Sequence, residues 1–131
     1  SDVKPYILAL MPPDDNYDDP FYYGIQRQAH TYGLLCERES SEWDAESLDD
    51  FESLQIRIAE ARGVIIHLGD KPISPVFALQ IGCAWGAKRP LIFISQENNV
   101  KHRWLPKDRI LRYKKISELE LLIADYLKTV V

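Results

Sequence analysis

Residues 63–95 of this 131-residue chain read GVIIHLGDKPISPVFALQIGCAWGAKRPLIFIS. The stretch predicts a strand (63–68), a loop, a helix that begins at Ser74-Pro75, and a second strand (90–95), because short apolar runs between turn formers are typical of buried parallel strands. Serine followed by proline is a common helix start. The stretch is therefore a β-α-β unit, and we expect the rest of the chain to be organised around it.

The same alternation of strands and helices runs through the whole chain. Strands are predicted at 5–11 and 34–38, with a weaker edge strand at 109–113, and helices are predicted at 20–33, 47–61 and 118–131. Such alternation produces a parallel sheet with right-handed crossovers and helices on both faces. We therefore predict an α/β fold, a flavodoxin-like, doubly wound, five-stranded parallel sheet of order 2-1-3-4-5, formed by a single domain over residues 1–131.

Three local signals refine the predicted helices. Asp19 precedes Pro20, which predicts an N-cap at the first helix. Ser117 and Glu120 match the capping-box pattern and predict the start of the last helix. The third helix, residues 74–87, is apolar nearly all round, which predicts that it is largely buried.

Composition and charge restrict the classes of function. The chain is 46% hydrophobic and carries a formal net charge of -4, which argues against general nucleic-acid binding. The charge is uneven, because residues 37–60 hold nine acidic side chains and residues 101–115 hold seven lysines or arginines. Solvated surfaces are the simpler interpretation of these runs, and head-to-tail or interdomain docking is the alternative.

Cysteine usage and the chain ends bear on location and context. Cys36 and Cys83 lie far apart in apolar surroundings, which predicts buried free thiols in a reducing, cytoplasmic compartment. No apolar run approaches the roughly 20 residues that span a bilayer, and no signal peptide is evident. The chain starts at Ser1 without methionine and stops at Val131 directly after a helical run, so we expect a domain cut from a longer protein.

A ligand site is expected where the strand order reverses, at the carboxyl ends of the strands. With order 2-1-3-4-5 this position lies between the first and third strands, where the loops Met11–Asp19 and His67–Pro75 meet. The start of the third helix points into the same crevice and favours an anion. Pro75 removes one N–H group, however, and no glycine-rich phosphate motif precedes it, so the signal for anion binding is weak.

Four segments carry a resemblance to a known family: LALMPPDDNYDDPFYYGI, GLLCER, ARGVIIHLGD and ALQIGCAWGAKRPLIFISQ. In this order and spacing they resemble the nucleoside 2-deoxyribosyltransferase-like superfamily and its TIR-like nucleotide-binding relatives, over about residues 5–96. The resemblance implies a flavodoxin-like, Rossmann-like fold. It also implies cleavage or transfer of the N-glycosidic bond of a nucleoside, nucleotide or NAD-like molecule, at a site often completed across a homo-oligomer interface.

The resemblance assigns roles to particular positions. It places the family's glutamate at Gln80 and its aspartate at the end of the third strand at His67. The loop Asn16–Asp19 corresponds to the loop that lies against the ligand, and Arg38 corresponds to a common arginine after the second strand. The candidate catalytic residues are His67 and Gln80, and the candidate ligand-binding residues are Met11, Asn16, Tyr17, Asp18, Arg38, Gly69, Asp70, Ser74 and Gln80.

Replacement of both carboxylates affects the expected chemistry. In the family's transferases a carboxylate attacks the anomeric carbon of the sugar. The neutral amide of Gln80 is a poor nucleophile, although it still donates and accepts hydrogen bonds to a ribose. The first hypothesis is therefore a sensor or regulatory domain that binds a nucleoside, nucleotide or NAD-like ligand in a homo-oligomer and is weak or inactive as a glycosidase.

Other interpretations stay open at this point. Histidine acts as a base near neutral pH, so the second hypothesis is a rewired N-glycosidic hydrolase or transferase in which His67 is paired with a carboxylate from Asp14, Asp15, Asp18, Asp70 or Glu97. The third is a protein-interaction module in which the acidic segment 37–60 meets the basic segment 101–115 of a neighbour. Both candidate residues also have a purely structural interpretation. Gln80 would then be an ordinary polar residue on a helix flank, and His67 would be a strand-end histidine with satisfied hydrogen bonds. The sequence predicts no metal site, no cofactor and no membrane segment.

Overall fold

The computed structural model describes residues 4–40, 48–96, 103, 105 and 107–131. Five strands form one parallel sheet in the order β2-β1-β3-β4-β5, which confirms the predicted flavodoxin-like α/β fold. The strands are β1 (Tyr6–Met11), β2 (Leu35–Ser40), β3 (Gly63–His67), β4 (Leu91–Gln96) and β5 (Ile110–Tyr113).

Helices connect the strands. The first helical segment is a π-helix (Pro20–Gln26), which continues as a short α-helix. One 3₁₀ turn precedes the π-helix, and another precedes β5. The α-helices are α1 (Arg27–Thr31), α2 (Leu48–Glu60), α3 (Pro75–Gly86) and α4 (Ile116–Leu127), and the 3₁₀ turns are Asp15–Tyr17 and Lys107–Arg109.

The sheet is buried between two hydrophobic layers, because successive side chains of a strand point to opposite faces. Ile7, Ala9 and Met11 belong to a layer that also contains residues of α1 and α4, which we call the α1/α4 layer. Leu8 and Leu10 belong to the layer with α2 and α3, the α2/α3 layer. Full burial of each such aliphatic side chain stabilises the fold by about 1.5–3 kcal/mol, so the central strand β1 is a major contributor to stability.

The predicted helix starts are confirmed at one position and wrong at two. Ser74 has extended backbone angles, and its Oγ accepts a hydrogen bond of 3.1 Å from the N–H of Phe77. The last helix instead begins at Ile116 with Lys115 at the N-cap and no capping side chain. Ser117 therefore lies inside the first turn, because only two residues separate β5 from α4.

The Asp19 N-cap prediction is also wrong. Asp18 and Asp19 both have helical backbone angles, and the side chain of Asp19 makes no capping hydrogen bond. The 3₁₀ turn Asp15–Tyr17 leads the chain directly into the helix, so there is no extended residue for a side chain to cap.

The π-helix at Pro20–Gln26 was not predicted. Its winding shows in the N–H of Arg27, which bonds the carbonyl of Tyr22, five residues earlier. Gly24 faces α4, where a side chain on Gly24 would meet the side chain of Leu119. A π-helix is rare and holds more residues per turn than an α-helix, and the absence of a side chain at Gly24 allows α4 to pack closely against this one.

Helix α3 departs from the predicted burial. Phe77, Gln80, Ile81 and Ala84 are buried, but Leu79 is 52% exposed and Trp85 is 38% exposed. The prediction of a largely buried helix is therefore wrong for its outward face. The predicted burial of both free thiols is likewise confirmed for Cys36 alone, since Cys83 on α3 is only half-buried.

Candidate functional site

A small crevice lies where the strand order reverses, at the carboxyl ends of β1 and β3. It has a cavity volume of about 90 Å³. The loop after β1 forms one wall, and the loop after β3 together with the start of α3 forms the other. The lining residues are Pro12, Asp14, Gly69, Asp70, Lys71, Pro72, Ile73, Ser74 and Phe77.

Tyr17 joins the two walls. Its ring is buried, and its hydroxyl accepts a hydrogen bond of 3.1 Å from the backbone N–H of Asp70. Gly69 allows this approach, because a Cβ atom there would lie 3.0 Å from Cγ of Pro12 and 3.3 Å from the hydroxyl of Tyr17. A side chain at Gly69 would therefore push the two loops apart.

Arg38, within β2, holds the loop after β1 from the other side. Its Nη1 donates to Asp18 Oδ1 at 2.7 Å, and its Nη2 donates to the carbonyl oxygens of Pro12 at 2.7 Å and Asp14 at 3.3 Å. The guanidinium also lies 5.7 Å from the ring centroid of Phe21. Its hydrogen bonds are thus directed at the loop itself, which assigns Arg38 a positioning role in this state of the protein.

His67 is buried in the α1/α4 layer beneath the loops. Its ring meets Tyr17 and Tyr113 edge-on, with centroid distances of 5.2 and 5.7 Å. Nδ1 lies 2.8 Å from the carbonyl oxygen of Leu68, and Nε2 lies 2.6 Å from the hydroxyl of Tyr113. Because a carbonyl only accepts, Nδ1 donates to Leu68 and Nε2 accepts from Tyr113.

The electrostatics of His67 favour the neutral ring. The pKa of His67 is lowered from 6.5 to about 4, chiefly by burial and also by the positive charge of Arg38, while the hydrogen bond to Leu68 opposes this shift. Burial also raises the pKa of Tyr113. A neutral imidazole with both nitrogens engaged is suited to fixing neighbouring groups, and it has no free nitrogen to take a proton from a ligand.

Gln80 is also fully buried, but on the other side of the sheet. It lies on α3, whose inward-facing neighbours Phe77 and Ile81 belong to the α2/α3 layer. His67 follows Ile65 by two residues, so the two share a face, and Ile65 lies in the α1/α4 layer. The sheet therefore separates the two candidate catalytic residues.

The structure thus brings together only part of the predicted set. Gly69, Asp70 and Ser74 line the crevice, Tyr17 joins its walls, and the ion pair of Asp18 with Arg38 holds the adjoining loop. The remaining candidates do not line the crevice: Asn16 is exposed outside it, and Met11, His67 and Gln80 are buried. Glu97 lies outside the described residues.

Several residues at the crevice were missed by sequence reasoning. Lys71 and Ile73 lie in the loop after β3, and a systematic reading of every residue between strand and helix would have included them. Tyr113, the partner of His67, lies on the edge strand, 46 residues further along the chain. No sequence pattern connects those two positions, because their contact depends on how β3, β4 and β5 pack.

The polar groups of the crevice are mainly acidic. Asp14 and Asp70 contribute carboxylates, and Lys71 contributes one ammonium group. The Ser74 hydroxyl caps α3 as an acceptor and keeps its own hydrogen for donation. The lining therefore offers more acceptors than cationic donors.

The described part of the chain contains no group of three histidine, cysteine, aspartate or glutamate side chains that could hold a metal ion. Within the same residues, no helix is both long and apolar enough to cross a membrane. No protein-family model matches this chain, and no curated protein matches it at a significant level.

Proposed function

We propose that this domain binds a ribose-containing small molecule, such as a nucleoside, nucleotide or NAD-like compound, in the crevice between the loops after β1 and β3. The ligand would regulate the protein, and the domain would not cleave it. The observation that carries the proposal is the pair of carboxylates, Asp14 and Asp70, on opposite walls of a crevice at the reversal of strand order.

The charge of the crevice favours a sugar over a phosphate. Asp14 and Asp70 present acceptor oxygens, whereas a single ammonium group, that of Lys71, opposes them. Carboxylates accept hydrogen bonds from ribose hydroxyl groups and repel phosphate oxygens. We therefore expect the ribose to enter the crevice and any phosphate to lie towards Lys71.

The size of the crevice sets how much of the ligand enters. Its volume of about 90 Å³ is well below the roughly 300 Å³ at which small-molecule pockets begin. One sugar ring is the largest part of a nucleoside that this volume suits. The base would lie outside the crevice, so we expect affinity to depend weakly on base identity.

Burial supports binding over glycosidase chemistry. His67 has both ring nitrogens engaged, and Gln80 is a buried amide on the other side of the sheet. Covalent glycosyl transfer needs a carboxylate at the anomeric carbon, and hydrolysis needs a positioned base. Neither buried candidate supplies these groups to the crevice in this arrangement.

The interaction alternative receives no specific support. Arg57 of α2 forms ion pairs with Glu37 and Glu39 of β2, so these two carboxylates are partly neutralised within the chain. Residues 41–47 of the acidic segment, and Lys101 and His102 of the basic one, lie outside the described residues.

The test is calorimetric titration of the domain with ribose, adenosine, uridine, AMP, NAD and ADP-ribose. We expect binding with similar affinity for the two nucleosides, weakened at least about tenfold by Asp70→Asn and by Asp14→Asn, because a hydrogen bond to a charged group contributes about 1.5–3 kcal/mol. Asp125→Asn is the matched control, since Asp125 is 80% exposed on α4. Folded variants should be verified by circular dichroism.

Two results would contradict the proposal. One is no heat and no chemical-shift change with any of these compounds at millimolar concentration. The other is binding that Asp14→Asn and Asp70→Asn together leave unchanged. Release of free base from NAD or adenosine, followed by chromatography, would show a glycosidase instead.

A further inference from the structure

Helix α3 has an inverted distribution of polarity. Among its residues, Gln80 is the only one with an amide, hydroxyl or charged side chain, and it is fully buried. The outward face is built from apolar and small residues instead. Helices on the surface of a globular domain normally place their polar residues outward, so this face has the composition of an interface.

The outward face has a ridge and a notch. Pro75, Leu79, Gly82 and Gly86 recur at i, i+4, i+7 and i+11, which places them on one side of the helix, and all four are exposed. Leu79 is 52% exposed and forms the ridge. A Cβ atom built on Gly82 or Gly86 would meet nothing within 4 Å, so these glycines form the notch.

The two ends of this face differ in charge. Asp14, Asp70 and Lys71 line the crevice at the end where α3 begins, so two carboxylates outnumber one ammonium group there and that end is net acidic. Lys88 is exposed just beyond the other end, and no charged side chain lies between Pro75 and Gly86. Two copies of α3 packed antiparallel would place Lys88 of each copy near Asp70 of the other, whereas a parallel arrangement would oppose like charges.

We infer that the outward face of α3 is a self-association surface, on which a second copy of this chain docks antiparallel with Leu79 of each copy in the glycine notch of the other. The surface is self-complementary in shape and in charge, as a two-fold symmetric interface requires. The inference is independent of the ligand proposed above.

The register of this packing follows from the notch. If Leu79 of one copy lies opposite Gly82 of the other, Ala78 lies opposite Cys83, and Lys88 lies opposite Ile73. Ile73 lines the crevice, so each copy would bring an ammonium group to the mouth of the other copy's acidic crevice. Helix α3, at 12 residues, is about 18 Å long, which is short for an interface.

The first experiment is sedimentation velocity of the wild-type chain over a concentration range of about 10 μM to 1 mM, where small interfaces associate. We expect a monomer–dimer equilibrium. Leu79→Glu should weaken dimerisation at least about tenfold, because it opposes charges across an apolar contact. Leu121→Glu is the control, since Leu121 is 69% exposed on α4, and it should leave the dimer intact.

A second experiment tests orientation. Lys88→Asp should weaken the dimer, and adding Asp70→Lys should restore it. Lys88 has a φ of 55°, a conformation that aspartate tolerates better than most residues. In an Ala78→Cys variant, a short bismaleimide should link the new thiol of one copy to Cys83 of the other, whereas a Leu121→Cys variant should not be linked in this way.

Three results would overturn the inference. The first is a wild-type monomer at every concentration tested. The second is a dimer that Leu79→Glu does not weaken while circular dichroism shows a folded chain. The third is charge reversal at Lys88 that Asp70→Lys fails to rescue.

Discussion

The hydroxyl group of Tyr113 lies 2.6 Å from Nε2 of His67, and both side chains are buried. The contact joins the last residue of β3 to the last residue of the edge strand β5. It fixes the ring that lies beneath Tyr17, and Tyr17 in turn joins the two walls of the crevice. A structural histidine thus supports the candidate site from below.

Removal of this hydroxyl should destabilise the fold. Tyr113→Phe leaves Nε2 of His67 as a buried acceptor without its donor, at a cost of about 1–3 kcal/mol. Urea unfolding at pH 7 measures the change. Tyr22→Phe is the control, because Tyr22 is 52% exposed, and its effect should stay within about 0.5 kcal/mol. Equal effects of the two variants would contradict the role assigned to Tyr113.

His67 should make the stability of the protein sensitive to acid. Its pKa is about 4 in the folded state and about 6.5 in the unfolded chain. Between these pH values the unfolded state binds more protons than the folded state. The contribution of His67 to the free energy of unfolding is therefore fully present above pH 6.5 and is lost as the pH decreases towards 4. The loss amounts to about 3 kcal/mol for this group alone.

The measurement is the free energy of unfolding in urea at several values between pH 4.5 and 7. His67→Gln should show a shallower decline than wild type, since the titrating group is gone. His30→Gln, at an exposed position on α1, should decline as steeply as wild type. A His67→Gln slope equal to that of wild type would mean that other groups control the acid sensitivity.

Restoring a carboxylate at Gln80 should reduce stability without creating activity. Gln80 is fully buried, and burial raises the pKa of a carboxyl group. The stability deficit of Gln80→Glu should therefore be small near pH 4 and grow as the pH rises, to about 3–5 kcal/mol at pH 7. Gln80→Met is the uncharged control, with a deficit that does not change with pH. Release of base from a nucleoside by Gln80→Glu would contradict the buried position.

Gly63 should not tolerate a side chain. The hydroxyl of Tyr126 occupies the position where a Cβ atom on Gly63 would lie, and it donates to the carbonyl of Pro90 at 2.8 Å. Gly63→Ala should cost about 1–3 kcal/mol through overpacking. In a double-mutant cycle, Tyr126→Phe should relieve part of this cost, so the two changes should be less than additive. Gly82→Ala, measured in dilute protein, is the control and should be neutral or stabilising, because its Cβ meets nothing.

Arg38 should control the order of the loop after β1. It bonds the Asp18 carboxylate and two backbone carbonyls of that loop. Arg38→Met should speed amide hydrogen exchange of residues 12–18, whereas Asp18→Asn should do so less, because the bonds to the carbonyls stay. Exchange in β4 serves as the internal reference. Equal exchange in all three proteins would show that the loop is held by other contacts.

The sequence was sufficient for the fold because strand burial is encoded locally. The apolar runs of β1, β3 and β4 are buried on both faces, and the alternation with helices leaves few topologies. The start of α3 was likewise predictable, since Ser74 and Pro75 favour a helix start through interactions within a single turn. The starts of the first and last helices could not be predicted in this way, because the 3₁₀ turn before Asp19 and the short connection before Ile116 are set by packing.

The site was predictable in position and not in detail. Strand order places the loop that holds Gly69, Asp70 and Ser74 beside the loop after β1, and that follows from topology. Whether a polar side chain points outward or into the core depends on the face that its element presents. The sheet places His67 in one layer and directs Gln80 towards the other, which no reading of residue types could establish.

The π-helix at Pro20–Gln26 has a consequence for how the chain tolerates changes in length. Each turn of the π-helix holds more residues than a turn of an α-helix. The segment can therefore lose a residue and still span the same distance, which the α-helices cannot do. Loss of one residue here would tighten the winding towards an α-helix and leave β1 and α1 in place. The same loss in α3 would rotate Gln80 out of the core. A deletion of one residue should therefore be tolerated better in Pro20–Gln26 than in α3.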